Sequence, residues 1–223
     1  MPRIVFIADT HLRHNFKVPN GDILVHAGDL TGRGTIHNNE VDMALQWIAD
    51  LPHTHKVVIA GNHDILFETH STLAKDLVPE GVHYLQDTEV TLMGLRFYGA
   101  PWTPAFCNWA FNVYEQEELA EKWALIPEGV DVLITHGPPF GILDKTVDHY
   151  ERLGQHVGCQ ELRARVRHIK PKVHVFGHIH NQYGLATVEG TTFINASVCN
   201  EKYQPVHEPI CIYVDAPGDG GNV

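Results

Sequence analysis

Five short apolar runs, each ending in residues able to bind a metal or carry a proton, constrain this chain more than any other feature. Arg3 to Ala8 runs into Asp9-Thr10-His11, and Ile23 to Ala27 into Gly28-Asp29. Lys56 to Ala60 runs into Gly61-Asn62-His63-Asp64, Asp131 to Thr135 into His136-Gly137-Pro138-Pro139, and Lys172 to Phe176 into Gly177-His178-Ile179-His180. Runs of this length, rich in β-branched residues and bounded by Gly or polar residues, predict strands buried on both faces.

Between the second and third runs, Val41, Leu45, Trp47, Ile48 and Leu51 recur at helical spacing and Pro52 closes the segment, which predicts a crossover helix. Glu115 to Leu125 and Cys159 to Ile169 read as further helices, each followed by a proline. Two other regions read as hairpins: Glu89 to Met93 with Leu95 to Gly99 about Gly94, and Gly184 to Glu189 with Thr191 to Asn195 about Gly190. Ile210 to Val214 supplies a last strand. Crossovers yield parallel strands and hairpins antiparallel ones. The expected fold class is therefore α/β, with two mixed β-sheets packed as a sandwich and flanked by helices.

At 223 residues the chain can bury one core, so residues 1–223 are read as a single domain whose Gly-rich tail, 216–223, frays. The opening apolar run ends at Asp9, too early for a signal-peptide core, and no run approaches the roughly 20 residues of a membrane helix, so no membrane partner and a cytoplasmic location are expected. Cys107, Cys159, Cys199 and Cys211 are too far apart for a Cys-x-x-Cys pair and read as reduced thiols. The formal charge of −11 disfavours extended nucleic acid. No segment specifies an oligomeric state. Of the 17 histidines, His53, His55, His83, His149, His168 and His207 lie outside the five blocks and are read as surface residues.

The carboxyl ends of strands in α/β sheets are where sites are built, so blocks distant in sequence can converge there. In an extended segment, side chains two apart, such as Asp9 and His11 or His178 and His180, point to one side and can grip one centre. The seven residues Asp9, His11, Asp29, Asn62, His136, His178 and His180 exceed what one ion needs. Two ions roughly 3.5 to 4 Å apart and sharing Asp29 would use them all. Two carboxylates against two divalent ions leave net positive charge, which suits an anionic substrate.

In this order the five blocks resemble the calcineurin-like metallophosphoesterase superfamily over nearly the whole chain. The resemblance implies the αββα fold of that superfamily. It also implies Asp9, His11, Asp29 and His180 around one metal and Asp29, Asn62, His136 and His178 around the other, with Asp29 as the bridge. The stretches Ala60 to Asp64, Tyr98 to Pro104, Leu125 to Gly129, Thr135 to Pro139 and Asn195 to Ser197 are similar to small metallophosphoesterase-domain proteins related to class III cyclic-nucleotide phosphodiesterases. Where the superfamily usually has Gly before its first Asp, this chain has Ala8.

That resemblance implies a dinuclear metal-dependent phosphodiesterase that hydrolyses cyclic nucleotides or small phosphodiesters with a metal-activated hydroxide. His63 is expected to face the leaving group as acid or charge stabiliser, with Asp64 either holding its ring in one tautomer or standing as a solvated residue that caps a helix. The ligands are imidazole, carboxylate and amide oxygen without thiolate, which favours Mn or Fe, with Zn, Co or Ni also compatible. Asn62, His63, Arg13, His14 and Trp102 are the expected substrate contacts; Trp102 belongs to an aromatic loop with Phe106 and Trp109 that could stack on a nucleobase or form a satellite hydrophobic cluster. A broader phosphomonoesterase or protein phosphatase, and a nucleotide sensor that has lost turnover, are the alternatives.

Overall fold

The computed structural model describes residues 1–147 and 153–216. The Gly-rich segment after Ala216 and His149 lie outside them. Two sheets carry the architecture. In the first, strands β1 (Arg3–Ile7), β2 (Ile23–Ala27), β3 (His55–Ile59) and β4 (Val82–Tyr84) run parallel, and β15 (Ile210–Tyr213) joins β1 antiparallel. In the second sheet the strands lie in the order Gly184–Val188, Thr191–Asn195, Val173–Phe176, Val132–Thr135, Leu95–Ala100 and Thr88–Leu92. Its parallel centre is β6 (Leu95–Ala100), β9 (Val132–Thr135), β12 (Val173–Phe176) and β14 (Thr191–Asn195). Its edges are the antiparallel strands β5 (Thr88–Leu92) and β13 (Gly184–Val188).

Every hairpin and crossover expected from the sequence is present. The helices α1 (Glu40–Asp50), α4 (Gln116–Ala124) and α5 (Gln160–Ile169) fall within a residue of their predicted bounds. Elements beyond those expected are β4, α2 (Ile65–Thr69), α3 (Ser71–Asp76), the short pair β7 (Thr103–Pro104) and β8 (Asn112–Val113), the pair β10 (Lys145–Val147) and β11 (Leu153–His156), and a single 3-10 turn, His180–Gln182. They are too short to leave a readable period.

Side chains alternate across each strand, so the continuous apolar runs divide between layers. Ile4 and Phe6, Ile23 and Val25, and Val57 and Ile59 face inward to meet Phe97, Val132, Ile134, Val173, Val175 and Ile194 of the opposite sheet. Their neighbours Val5, Ile7, Leu24 and Val58 face outward, under Val41, Leu45 and Ile48 of α1 and Leu66 and Phe67 of α2. The outer face of the second sheet, with Tyr98, Leu133, Phe176 and Phe193, packs under Leu119 and Trp123 of α4 and Leu162 and Val166 of α5. Helices, sheet, sheet and helices thus stack as αββα. Among the described residues no helix is long and apolar enough to cross a membrane.

At one edge the sheets are stitched together. The Ala8 amide donates to Ala196 O (2.8 Å) and the Val198 amide to Ala8 O (3.0 Å), forming a parallel bridge between Ala8 and Ser197. That edge is where the carboxyl ends of β1, β2, β3, β9 and β12 emerge.

Candidate metal centre

All seven candidate ligands meet at this stitched edge. The first sheet delivers Asp9 and His11 after β1, Asp29 after β2 and Asn62 after β3; the second delivers His136 after β9 and His178 and His180 after β12. The backbone bends sharply to do so: Asp9, His11, Asp29 and His178 all have positive φ, between 44° and 68°. Each such residue costs of order 1 to 3 kcal/mol, a strain that concentrates at functional sites. Two glycines make the approach possible. A Cβ on Gly28, itself at φ 93°, would lie 2.7 Å from His136 Nδ1, and one on Gly177 would overlap Asp9 Oδ2.

Donor atoms converge in three overlapping trios: Asp9, His11 and His180; His11, Asp29 and His63; and Asp29, His136 and His178, each within 4.8 Å. His11 Nε2 and His180 Nε2 are 3.4 Å apart, and His136 Nε2 lies 2.9 Å from Asn62 Oδ1 and 3.4 Å from Asp29 Oδ1. The reverse side of three rings is tied to backbone. Nδ1 of His11 donates to Thr31 O (3.0 Å), that of His136 to Ala27 O (3.0 Å) and that of His180 to Asn200 O (2.9 Å). A carbonyl can only accept, so Nδ1 carries the proton and Nε2 turns inward, the tautomer a metal ligand needs. Asp9 is held by the Ser197 hydroxyl (2.5 Å) and the His178 amide (2.9 and 3.1 Å), and Asn195, 2.8 Å from Ser197 Oγ, anchors that serine.

The electrostatics have the same logic. Burial works to raise the Asp9 and Asp29 carboxyls, but the facing His180 and His136 outweigh it and hold both below the ordinary range. Burial works to lower those two imidazoles, and the carboxylates lift each to about 9. His178 goes the other way, to about 4, through burial and the positive His136. Buried carboxylates that draw positive charge towards themselves, packed among imidazoles with inward nitrogens, form a donor set that fits a pair of divalent cations.

Some expected residues sit elsewhere. Asp64 does not touch the His63 ring: its carboxylate accepts from the amides of Leu30 (3.2 Å), Thr31 (3.0 Å) and Gly61 (2.8 Å) and from Thr31 Oγ1 (2.8 Å), tying the Asp29 loop to the Asn62 loop. Burial and the nearby Asp29 raise it to about 6. His63 instead donates from Nδ1 to Gly32 O (2.5 Å) and stacks on Trp109, with 4.2 Å between centroids. The Arg33 guanidinium lies 5.5 Å from the Trp109 ring.

A pocket of about 580 Å³ opens over the cluster, and Asp29, Asn62, His63, His178 and His180 line it together with Pro138, Val147, Val157, Phe106, Trp109, Glu201 and Tyr203. Trp102 is not part of it. Its indole donates to Asp87 (2.9 Å) and Lys122 covers its face at 3.8 Å, so of the aromatic loop only Phe106 and Trp109 reach the pocket. Arg13 and His14 also stay outside: Arg13 is exposed and His14 stacks on Trp47 at 4.0 Å. His53, expected on the surface, is buried and hydrogen-bonded to Pro19 O.

Residues 2–182 match the family described as calcineurin-like phosphoesterase. The chain belongs to this family. Human metallophosphoesterase domain-containing protein 1 is 44% identical over 239 residues, covering 96% of this chain and 72% of the relative. A UPF0046 protein of Caenorhabditis elegans is 37% identical over 96% of this chain and 82% of its own length. Among solved structures, GAP50, the anchor in the inner membrane complex of Plasmodium, superimposes with a TM-score of 0.51 at 10% identity, over 88% of this chain and 71% of that one, a likeness of fold. This metallophosphoesterase therefore combines the family's phosphate-ester chemistry with His and Asp clusters suited to a dinuclear metal site.

Two parts of the centre were not legible beforehand. The carbonyls of Ala27, Thr31 and Asn200 carry no side-chain signal, and Tyr203 sits in a polar segment without period or motif. Asn195 to Ser197 stood out by resemblance alone, with no role attached.

Proposed function

We propose that this metallophosphoesterase is a phosphodiesterase for cyclic nucleotides or similarly small phosphodiesters. Asp9, His11, Asp29 and His180 would hold one ion and Asp29, Asn62, His136 and His178 a second, with Mn or Fe suited to the donors. When bound, the ions supply a hydroxide nucleophile at neutral pH and neutralise the phosphoryl oxygens. The chain's own residues do the rest. The carbonyls behind His11, His136 and His180 keep each Nε2 directed inward. His63, fixed by Gly32 O and the Trp109 face, stands at the pocket wall; with Nδ1–H committed to that carbonyl, its Nε2 donates to the leaving oxygen only when the ring carries a second proton.

The observation that carries this reading is the pocket. Its volume of about 580 Å³ falls within the range of sites for compact organic ligands. It places an apolar wall beside the candidate ligands, so a phosphate with a planar organic group fits better than inorganic phosphate alone. The test is hydrolysis of a phosphodiester and a phosphomonoester model substrate by metal-stripped protein reloaded with Mn, beside Asp29→Ala. Diester cleavage that needs metal and is lost in the variant supports the proposal. Monoester cleavage alone would make the protein a phosphomonoesterase, and nucleotide binding without turnover a sensor.

A further inference from the structure

Tyr203 is an unusual residue for its position. Its backbone has φ 56°, in the left-handed region that a bulky side chain rarely adopts. The conformation is imposed by Asn200, whose side-chain Oδ1 accepts from the amides of Lys202 (3.0 Å) and Gln204 (3.0 Å), while its carbonyl accepts from the Tyr203 amide (2.9 Å). The same Asn200 carbonyl receives His180 Nδ1, so the turn is registered to the candidate metal centre. A solvent loop of this shape needs only Gly or Asn at the strained position.

The ring is not there to fill a core, since Tyr203 belongs to none of the hydrophobic clusters formed by the described residues. Its neighbours are the site's imidazoles: His11 at 4.7 Å and 82°, His180 at 5.7 Å and 88°, and His63 at 6.0 Å. It remains 42% exposed, lines the pocket, and its hydroxyl makes no hydrogen bond to any described residue. Two of these contacts are T-shaped and the third is tilted, so none of the three imidazoles stacks flat on the ring, and the pocket adjoins it.

We infer that Tyr203 is a specificity-determining residue: its ring is the wall against which the organic group of a bound phosphate ester packs. The inference rests on the phosphate-ester reading above, and it assigns the ester's organic half to the loop after β14. A flat substituent would gain one aromatic contact, worth about tenfold in affinity, whereas a methyl substituent would gain little.

The experiment compares binding of phenylphosphonate and methylphosphonate, which cannot be hydrolysed, to the full chain reloaded with Mn, by calorimetry. The variants are Tyr203→Asn, which suits a positive φ and removes the ring, and Tyr203→Phe, which keeps it. The expected result is phenylphosphonate weakened about tenfold in Tyr203→Asn, methylphosphonate within twofold, Mn stoichiometry unchanged, and Tyr203→Phe like the parent protein. Equal weakening of both phosphonates, or of neither, overturns the assignment, as does a Tyr203→Phe variant as impaired as Tyr203→Asn. If the phosphonate pattern holds while no diester is cleaved, the hydrolytic proposal fails and the assignment stands. If neither phosphonate binds the Mn-loaded parent, both fail.

Discussion

His174 lies on β12 beneath the centre, fully buried, with Nε2 2.8 Å from Thr135 Oγ1. The Thr135 hydroxyl donates to Gly137 O, so it accepts from the ring, and His174 Nδ1 is left buried without a partner. Burial pushes this imidazole down to about 3 from an ordinary 6.5. Between those values the unfolded chain binds a proton that the folded chain refuses. The contribution to stability is therefore complete above about pH 6.5 and is lost as pH falls towards 3. For one group with these two pKa values, the loss between pH 7 and pH 5 is about 2 kcal/mol. His174→Gln keeps an N–H donor for Thr135 and removes the titration. Urea unfolding at pH 7 and pH 5 reads the difference: the parent protein's midpoint should fall by roughly 0.7 to 1 M more than the variant's, taking a denaturant slope of about 2 to 3 kcal/mol/M. Equal falls in the two proteins would refute the argument and mean that His174 is protonated in place.

Three further outcomes are expected. Gly177→Ala drives a Cβ into Asp9 Oδ2 and to 2.7 Å from the Ala8 Cβ, so it should cost roughly 1 to 3 kcal/mol and most of the bound Mn, whereas Gly32→Ala, whose nearest neighbour is 3.6 Å away, should leave thermal stability within a degree or two. Ser197→Ala removes the hydroxyl on Asp9 without a new clash and should weaken Mn binding roughly tenfold to a hundredfold in a competition assay with a fluorescent chelator. His63→Ala should lower kcat on a diester with Mn content near the parent's, while Asp64→Ala, which strips four hydrogen bonds from two loops, should show mainly as a loss of several kcal/mol in unfolding.

Much of this fold was written in the strands. A parallel strand buried on both faces needs apolar side chains at consecutive positions, so β1, β2, β3, β9 and β12 stand out as short runs, and the ligands come at their carboxyl ends. What stayed hidden depends on where loops bring backbone. Asp64 comes directly after His63 in sequence, and adjacency suggested a pairing. The tight turn after β3 points its carboxylate at four donors from two loops instead, while His63 turns to Gly32 O. Trp102, Phe106 and Trp109 are all large aromatics of one short segment, yet the Asp87 carboxylate captures the first and the pocket keeps the other two. Arg13 and His14 adjoin the first block, but the chain leaves the sheet there and His14 settles on α1 through Trp47.

Each candidate metal position draws donors from both sheets: Asp9, His11 and Asp29 with His180 in one case, Asp29 and Asn62 with His136 and His178 in the other. At the same edge the layers are also tied by the bridge at Ala8, by the Ser197 hydroxyl and His178 amide on Asp9, and by the His136 ring on Ala27 O. Ion binding and alignment of the sandwich are then linked, and linkage works in both directions. Loading the site resists slippage of one sheet over the other, and anything that loosens the apolar layer between them lowers the affinity of the site. A conservative truncation at Val175 or Ile59, neither of them a candidate ligand, would thus register first as a demand for more metal, so the Mn concentration giving half-occupancy gauges how well the two halves of the core are seated.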